Sequence, residues 1–373
     1  MDFFTELFGN FANIAVGQAV MCLIGAVLIF LAVKKNMEPS LLLPMGFGAI
    51  LVNLPLSGAV TQGGEVGVLD ELFSFGIANE LFPLLLFIGI GAMIDFSPLL
   101  ANPRLMILGA AAQFGIFFTF FAARVLFGFS VNDAASVGVI GAADGPTAIY
   151  VANYLDSKYI GAIIVAAYSY MALVPIIQPP MIRLMTTKKE RLIRMPYAKQ
   201  GVSKTSRLLF PITITVIAGL FAPKSVALIG FLMFGNLLRE CGVLDSLSET
   251  AQKVLTNLIT ILLGITVASK LRAELFLQWE TLMIVLLGLT AFIFDTVGGV
   301  LVAKLMNLFL KMKINPMIGA AGISAFPMSS RVVHKMGLKE DPQNFLLMHA
   351  VGVNVSGQIA SALAGGLILS LIS

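Results

Sequence analysis

The chain has 373 residues, 58% hydrophobic and 12% charged, with mean hydropathy +0.94 and a formal net charge of +4. A soluble domain carries about 25% charged residues, so this composition excludes an ordinary water-soluble enzyme and predicts an all-α polytopic protein embedded in the lipid bilayer. The charge is modest and no basic, aromatic-interleaved stripe occurs, so no nucleic-acid partner is expected. Two cysteines (Cys22, Cys241) and two histidines (His334, His349) give no disulfide framework or zinc site, and there is no phosphate loop ending in Gly-Lys-Ser/Thr.

Residues 7–33, 39–64, 105–123, 159–182 and 342–373 contain no Lys, Arg, Asp or Glu, and each is long enough to span at about 20 residues. In chain order the predicted spans are 12–33, closed by Lys34-Lys35, then 40–57, 81–95, 105–129 and 159–180, with an interrupted segment at 134–153. The start, Met1-Asp2-Phe3, lacks the basic region of a secretory signal. Residues 58–80 hold Glu65, Asp70, Glu71 and Glu80 and no base. Between Arg183 and Arg207 stand eight bases against Glu190 alone, and such a loop belongs in the cytoplasm.

That loop lies near the middle of a duplicated pattern. Gly67-Val68-Leu69-Asp70 recurs as Gly242-Val243-Leu244-Asp245, Phe87-Ile88-Gly89-Ile90 faces Leu262-Leu263-Gly264-Ile265, and Ile140-Gly141-Ala142-Ala143 recurs as Ile318-Gly319-Ala320-Ala321, at offsets of 175, 175 and 178. The second half then has spans near 208–222, 225–239, 255–269, 281–304 and 344–371, with an interrupted segment at 314–330. We expect a first repeat at 1–182, a cytoplasmic basic linker at 183–207 and a second repeat at 208–373. If the interrupted segments are re-entrant hairpins, each repeat has about five crossings and the two are inverted. The hairpins then enter from opposite sides. If both segments cross, the repeats are parallel.

Asp144 sits in Gly141-Ala142-Ala143-Asp144-Gly145-Pro146-Thr147. An acid at membrane depth costs roughly 2.5–3.5 kcal/mol, so it normally faces protein or water. Broken backbone is tolerated there only where it is buried or lines a cavity. An acid beside freed carbonyls and the Thr147 hydroxyl suits a small hard cation such as Na+; the plain alternative is a helix cap. The second segment, bracketed by Pro316 and Pro327, offers Asn315 and Ser324 as neutral oxygens and ends at Arg331, an anchor or an anion receiver. Asn354, Ser356 and Gln358 are polar groups in the last charge-free run, and Tyr170 adds a phenol; these serve a site or hold helices together. Asp295 is a second intramembrane acid, functional or in a vestibule.

At these residues the chain resembles the membrane β subunit of the biotin-dependent, sodium-pumping decarboxylases, which act on oxaloacetate, methylmalonyl-CoA, glutaconyl-CoA or malonate. The resemblance rests on Gly141 to Tyr150, on Ala166 to Pro175 with Gln178-Pro179-Pro180, on Asn315 to Arg331 and on Asn344 to Ala350. It implies a subunit of a multisubunit complex in the prokaryotic cytoplasmic (inner) membrane, partnered by a carboxyltransferase α subunit, a small γ/δ subunit, a biotin carrier domain and other copies of the β subunit. It also implies that carboxybiotin is decarboxylated here while Na+ is exported and an external proton is consumed. Asp144 then binds Na+, and Tyr170, Asn315, Gly319, Ser324, Arg331 and Asn354 are functional. We expect Asp144, Tyr170, Ser324 and Arg331 to take part in turnover. Na+ would be held by Asp144, Asn315, Gly319, Ser324, Asn354 and Tyr170, and carboxybiotin would dock at Arg331. A Na+-coupled carboxylate symporter is the main competing reading, and a passive channel a second.

Overall fold

The structure is a computed structural model, and it describes residues 14–62, 64–196 and 201–372. The reading of Met1-Asp2-Phe3, the first residues of the 12–33 span and Lys199 of the linker fall outside the described residues. Among those described, every long element is a helix. Six are long and apolar enough to cross a membrane, or up to eight when two bent pairs each count as one.

Helix α1 (Val16–Lys35) carries Lys34 and Lys35 in its last turn, where cations favour the helix dipole, and stops at Asn36 with φ 53°. It packs on α2 (Pro39–Val52). The acidic connection folds into a short helix, Val68–Leu72, and a π turn, Phe73–Ile77, bent by 60° from α3 (Leu81–Met93). The Gly-Val-Leu-Asp repeat has a structural counterpart. Asp245–Glu249 is again a short helix followed by a π turn, Thr250–Leu255.

The predicted 105–129 span is present as Pro103–Val125, with a local irregularity inside it. A helix over Met106–Ala111 stops, two residues turn, and α4 (Phe114–Val125) begins. The 134–153 segment is a helix (Val131–Gly138), a 3-10 turn (Val139–Ala142) and α5 (Gly145–Tyr154). Helix α6 (Ile160–Met185) bends by 65° between Met171 and Leu173. Pro175 accounts for this, since its ring crowds the carbonyl four residues back, that of Met171. The second half contributes α7 (Lys204–Phe221), α8 (Val226–Glu240), α9 (Thr256–Val267) and the unbroken α10 (Trp279–Phe309). A 3-10 segment (Pro316–Gly322) then leads to α11 (Met328–Glu340) and α12 (Leu347–Ile372).

Both interrupted segments double back. In the first, Asn132 Nδ2 donates to Leu155 O (3.2 Å) and Ser157 Oγ to Asp133 Oδ1 (2.8 Å), so the start and end of 131–157 are neighbours. In the second, the side-chain amides of Asn315 and Asn344 both donate to Arg191 O, at 2.9 and 3.0 Å. The ends of that hairpin therefore meet at the linker. The tips touch: Ser324 N donates to Ala142 O at 3.1 Å. Around the tips lies the densest packing. The apolar window of α12 is 67% buried, against 11% in α7 and 17% in α1, so α12 is central and those two lie at the periphery.

Candidate functional site

The tip of the first hairpin is a helix N-terminus inside the protein. Ala143 turns through the left-handed region (φ 51°) and Asp144 caps α5. Its carboxylate accepts from Thr147 Oγ1 (2.6 Å), Ser361 Oγ (2.9 Å) and Thr147 N (3.5 Å), and it is 3% exposed. No cationic side chain pairs with it among the described residues; its partners are neutral donors. Gly145 is required by a close approach, because a Cβ there would lie 2.2 Å from the ring of Tyr168. The Tyr168 hydroxyl is buried without a partner.

The tip of the second hairpin exposes several carbonyls at once, and side-chain amides converge on them. Gln178 Nε2 donates to Ala320 O (2.7 Å), Asn354 Nδ2 to Ile323 O (2.7 Å), Gln358 Nε2 to Ser324 O, and Gln113 Nε2 to Gly109 O (3.1 Å) and Gly322 O (3.3 Å). This meets the demand that backbone polar groups be satisfied at membrane depth. It also leaves Gln113 Oε1, Gln178 Oε1, Asn354 Oδ1 and Gln358 Oε1 buried with no donor. Each such orphan costs about 1–3 kcal/mol, and all four are acceptors. Unpartnered acceptor oxygens on helices that converge on a hairpin tip are groups that a hard cation can satisfy.

Of the residues singled out in the sequence, Asp144, Ser324 and Asn354 gather here. Ser324 Oγ donates to Gly357 O (2.9 Å). Asn315 stands at the other end of the 316–322 segment, roughly 14 Å away at about 2.0 Å per 3-10 residue. There its Oδ1 caps Met317 N (3.1 Å) and its Nδ2 holds the linker. Gly319 packs the hairpin onto α10, since a Cβ there would lie 2.1 Å from Gly299 O. Tyr170 donates its hydroxyl to Val285 O on α10 and lies against Gly288. Arg331 lies on α11 in a cavity of 450 Å3 that also presents Arg183, Lys335 and Lys339, four cations with no acid among the lining residues.

Asp295 is fully buried on α10 and accepts from Gly115 N at 2.5 Å. It caps the first turn of α4, where the local turn inside the 105–129 span exposes its amides. Its other oxygen lies 3.0 Å from where a Cβ on Gly141 would be, so a larger residue at 141 would crowd it.

Sequence reasoning missed Ser361, Gln113 and the role of Gln178. Ser361 had a signal: Asn354, Gln358 and Ser361 are spaced i, i+4, i+7 and share one face of α12. Ser356, also singled out, is on another face and donates to Leu105 O (3.2 Å) and Val353 O (3.0 Å).

A polytopic helical membrane protein with two hairpin tips joined over a buried carboxylate belongs to the class of ion-translocating membrane proteins. Residues 17–372 match the family described as the Na+-transporting oxaloacetate decarboxylase beta subunit. The chain is 45% identical over 417 residues to the oxaloacetate decarboxylase beta chain of Klebsiella pneumoniae, covering 96% of each. It is 49% identical over 364 residues to the methylmalonyl-CoA decarboxylase subunit beta of Veillonella parvula (98% of this chain, 95% of the relative). With the corresponding subunit of Propionigenium modestum it shares 46% over 392 residues (100% and 98%). The chain belongs to this family: it is a β-type membrane subunit of a Na+-transporting decarboxylase.

Proposed function

We propose that this subunit releases CO2 from carboxybiotin presented by a partner's carrier domain and uses that step to move Na+ outward through Asp144. The observation that carries the reading is the surplus of acceptor oxygens around the joined hairpin tips. One buried carboxylate and four unpartnered amide oxygens are present, and among the described residues the donors to the carboxylate are Thr147 and Ser361. Asp144 and the oxygens of Ser324 and Asn354 hold the ion. Asn315 and Gly319 act by positioning the second hairpin, Asn315 at its base and Gly319 against α10. Tyr170 sets the contact between α6 and α10.

Carboxybiotin is an anion, and it docks in the cationic cavity around Arg331 at the linker end. Decarboxylation breaks its carbon–nitrogen bond and requires a proton on the ureido nitrogen. Moving one Na+ against 100 mV costs about 2.3 kcal/mol, so ion occupancy at the tips must gate proton delivery to that cavity. The proton comes from outside and takes the place of Na+ on Asp144. The 26-residue α6, two arms of about 18 and 20 Å at 1.5 Å per residue that meet at its 65° bend, joins the base of the first hairpin to the linker at the base of the second. That favours hairpins entering from opposite faces and inverted repeats at 1–182 and 208–373. In the complete complex we place a carboxyltransferase α subunit, a small γ/δ subunit and further β copies, in a prokaryotic inner membrane.

Asp144→Asn keeps the shape of the cap and removes the charge. In vesicles of the whole complex it is expected to abolish Na+-dependent CO2 release while the protein still inserts and is still captured with a biotinylated partner on avidin. Sustained Na+ pumping by that variant overturns the assignment. Uptake of a labelled carboxylate by the subunit alone, with no biotinylated partner, would make it a symporter instead.

A further inference from the structure

Beside the linker, the last turns of α10 wall a cavity of 600 Å3 unconnected with the lining of the Arg331 cavity. That volume lies in the range of small-ligand sites, about 300–1,000 Å3. One side is cationic, with Lys189, Lys304 and Lys313. Lys304 is engaged by Glu190 Oε1 (3.2 Å) and Met185 O (3.1 Å), and the other Glu190 oxygen caps Thr187 N at 2.7 Å. The acid is thus used up on Lys304. Lys189 and Lys313 have no ion-pair partner among the described residues. The other side is apolar. Leu301, Leu305 and Leu308 follow at i, i+4 and i+7 on one face of α10, exposed by 47%, 54% and 76%.

A leucine row this exposed on a membrane-spanning helix faces acyl chains, and here it runs without interruption into a cluster of lysines at the helix end. Basic pockets so placed match anionic headgroups. We propose that this cavity binds an anionic phospholipid, with the phosphate between Lys189 and Lys313 and the acyl chains along the leucine row. A water-soluble acidic partner fits less well, because half of the wall is surface that the bilayer covers. The position gives the lipid a consequence. Lys189, Glu190 and Ile193 lie on the linker segment whose Arg191 and Ile193 carbonyls are held by Asn315, and Asn315 caps the second hairpin. A bound headgroup clamps that segment to α10 and so steadies the base of the hairpin.

The test uses the whole complex, purified in detergent and titrated with phosphatidylglycerol, with bound lipid counted by native mass spectrometry. Lys189→Gln/Lys313→Gln is expected to lose retained phosphatidylglycerol at least tenfold, leaving Lys304 to hold Glu190. Lys34→Gln/Lys35→Gln, the same change of charge elsewhere, is expected to retain it. In vesicles, raising the anionic lipid fraction in phosphatidylcholine is expected to raise Na+ transport by the parent complex and not by the Lys189/Lys313 variant. The proposal is overturned if the Lys189/Lys313 variant keeps its lipid, if both pairs lose it equally, or if phosphatidylcholine binds as well. It is also overturned if inorganic phosphate alone displaces the lipid, which would make this a phosphate site.

Discussion

At the scale of single residues, Asp144 depends on two hydroxyls that come from different parts of the chain. Thr147 is three residues away and follows from the cap of α5, whereas Ser361 reaches the same carboxylate oxygen from α12. Hydrogen bonds to a charged group contribute about 1.5–3 kcal/mol. Ser361→Ala should therefore raise the Na+ concentration for half-maximal turnover by roughly tenfold or more, at about 1.4 kcal/mol per factor of ten. Maximal rate and avidin capture should be little changed. An unchanged Na+ requirement would show that Ser361 only packs. Asp295 and Asp144 both cap helix starts and are both buried, yet one accepts from backbone amides of a neighbouring span and the other from hydroxyls at the tip contact. The sequence separates them by the Gly145-Pro146 break beside Asp144, which Asp295 lacks, but not by their donors, because Ser361 and the Gly115 amide come from distant helices.

At the scale of elements, the linker is more than a basic topology signal. Arg191 pairs with Glu340 (2.8 Å) and Arg194 with Asp341 (2.6 Å), so it is bolted to the end of α11. The Arg194 hydrogen bond, with help from Gln343 N, holds the Asp341 carboxyl below its ordinary range. Burial alone would raise the Glu190 carboxyl, but hydrogen bonds from Thr187 and Lys304 outweigh it and hold it lower. A depressed carboxyl favours the docked state while it is ionised, and that contribution is lost as pH falls through its folded value. Cleavage by pepsin beside Leu192 should therefore stay slow down to the ordinary carboxylate range and accelerate below about pH 4. Asp341→Asn should show the faster cleavage already at the upper end of the acid range. Equal cleavage of variant and parent across that range would remove the acid pairs as the cause. A similar lesson applies to Gly319. Its substitution by Ala brings a Cβ to 2.1 Å from Gly299 O, a backbone contact that has no side chain to yield. Loss of turnover there should come with lower thermal stability, which a pure ligand role would not produce.

For the whole molecule, the arrangement to test is two hairpins that meet tip to tip with their bases apart. In a chain with Cys22 and Cys241 replaced, a single cysteine at Tyr154 should react with an impermeant thiol reagent from outside. One at Lys339 should react only from the side that the linker occupies. Labelling of both from one face would replace inverted repeats with parallel ones.

The sequence by itself determined the class of protein, the place of the breaks at Asp144 and at 316–327, and the basic linker. These are local properties: apolar length, the cost of an acid in a bilayer, and the conformational limits of Gly and Pro. It also carried enough identity to place the family. Only the tertiary structure decided that the 105–129 span carries a local turn capped by Asp295, and that Asn315 holds the linker rather than lying beside Asp144. The same is true of Gln113 and Gln178 reaching the second hairpin and of Ser361 reaching Asp144. Each of these depends on which backbone group or carboxylate a side chain finds more than a hundred residues away. Such pairings are fixed by how helices stack, and helix periodicity, which reports only which face a residue occupies, does not specify the partner on the far side.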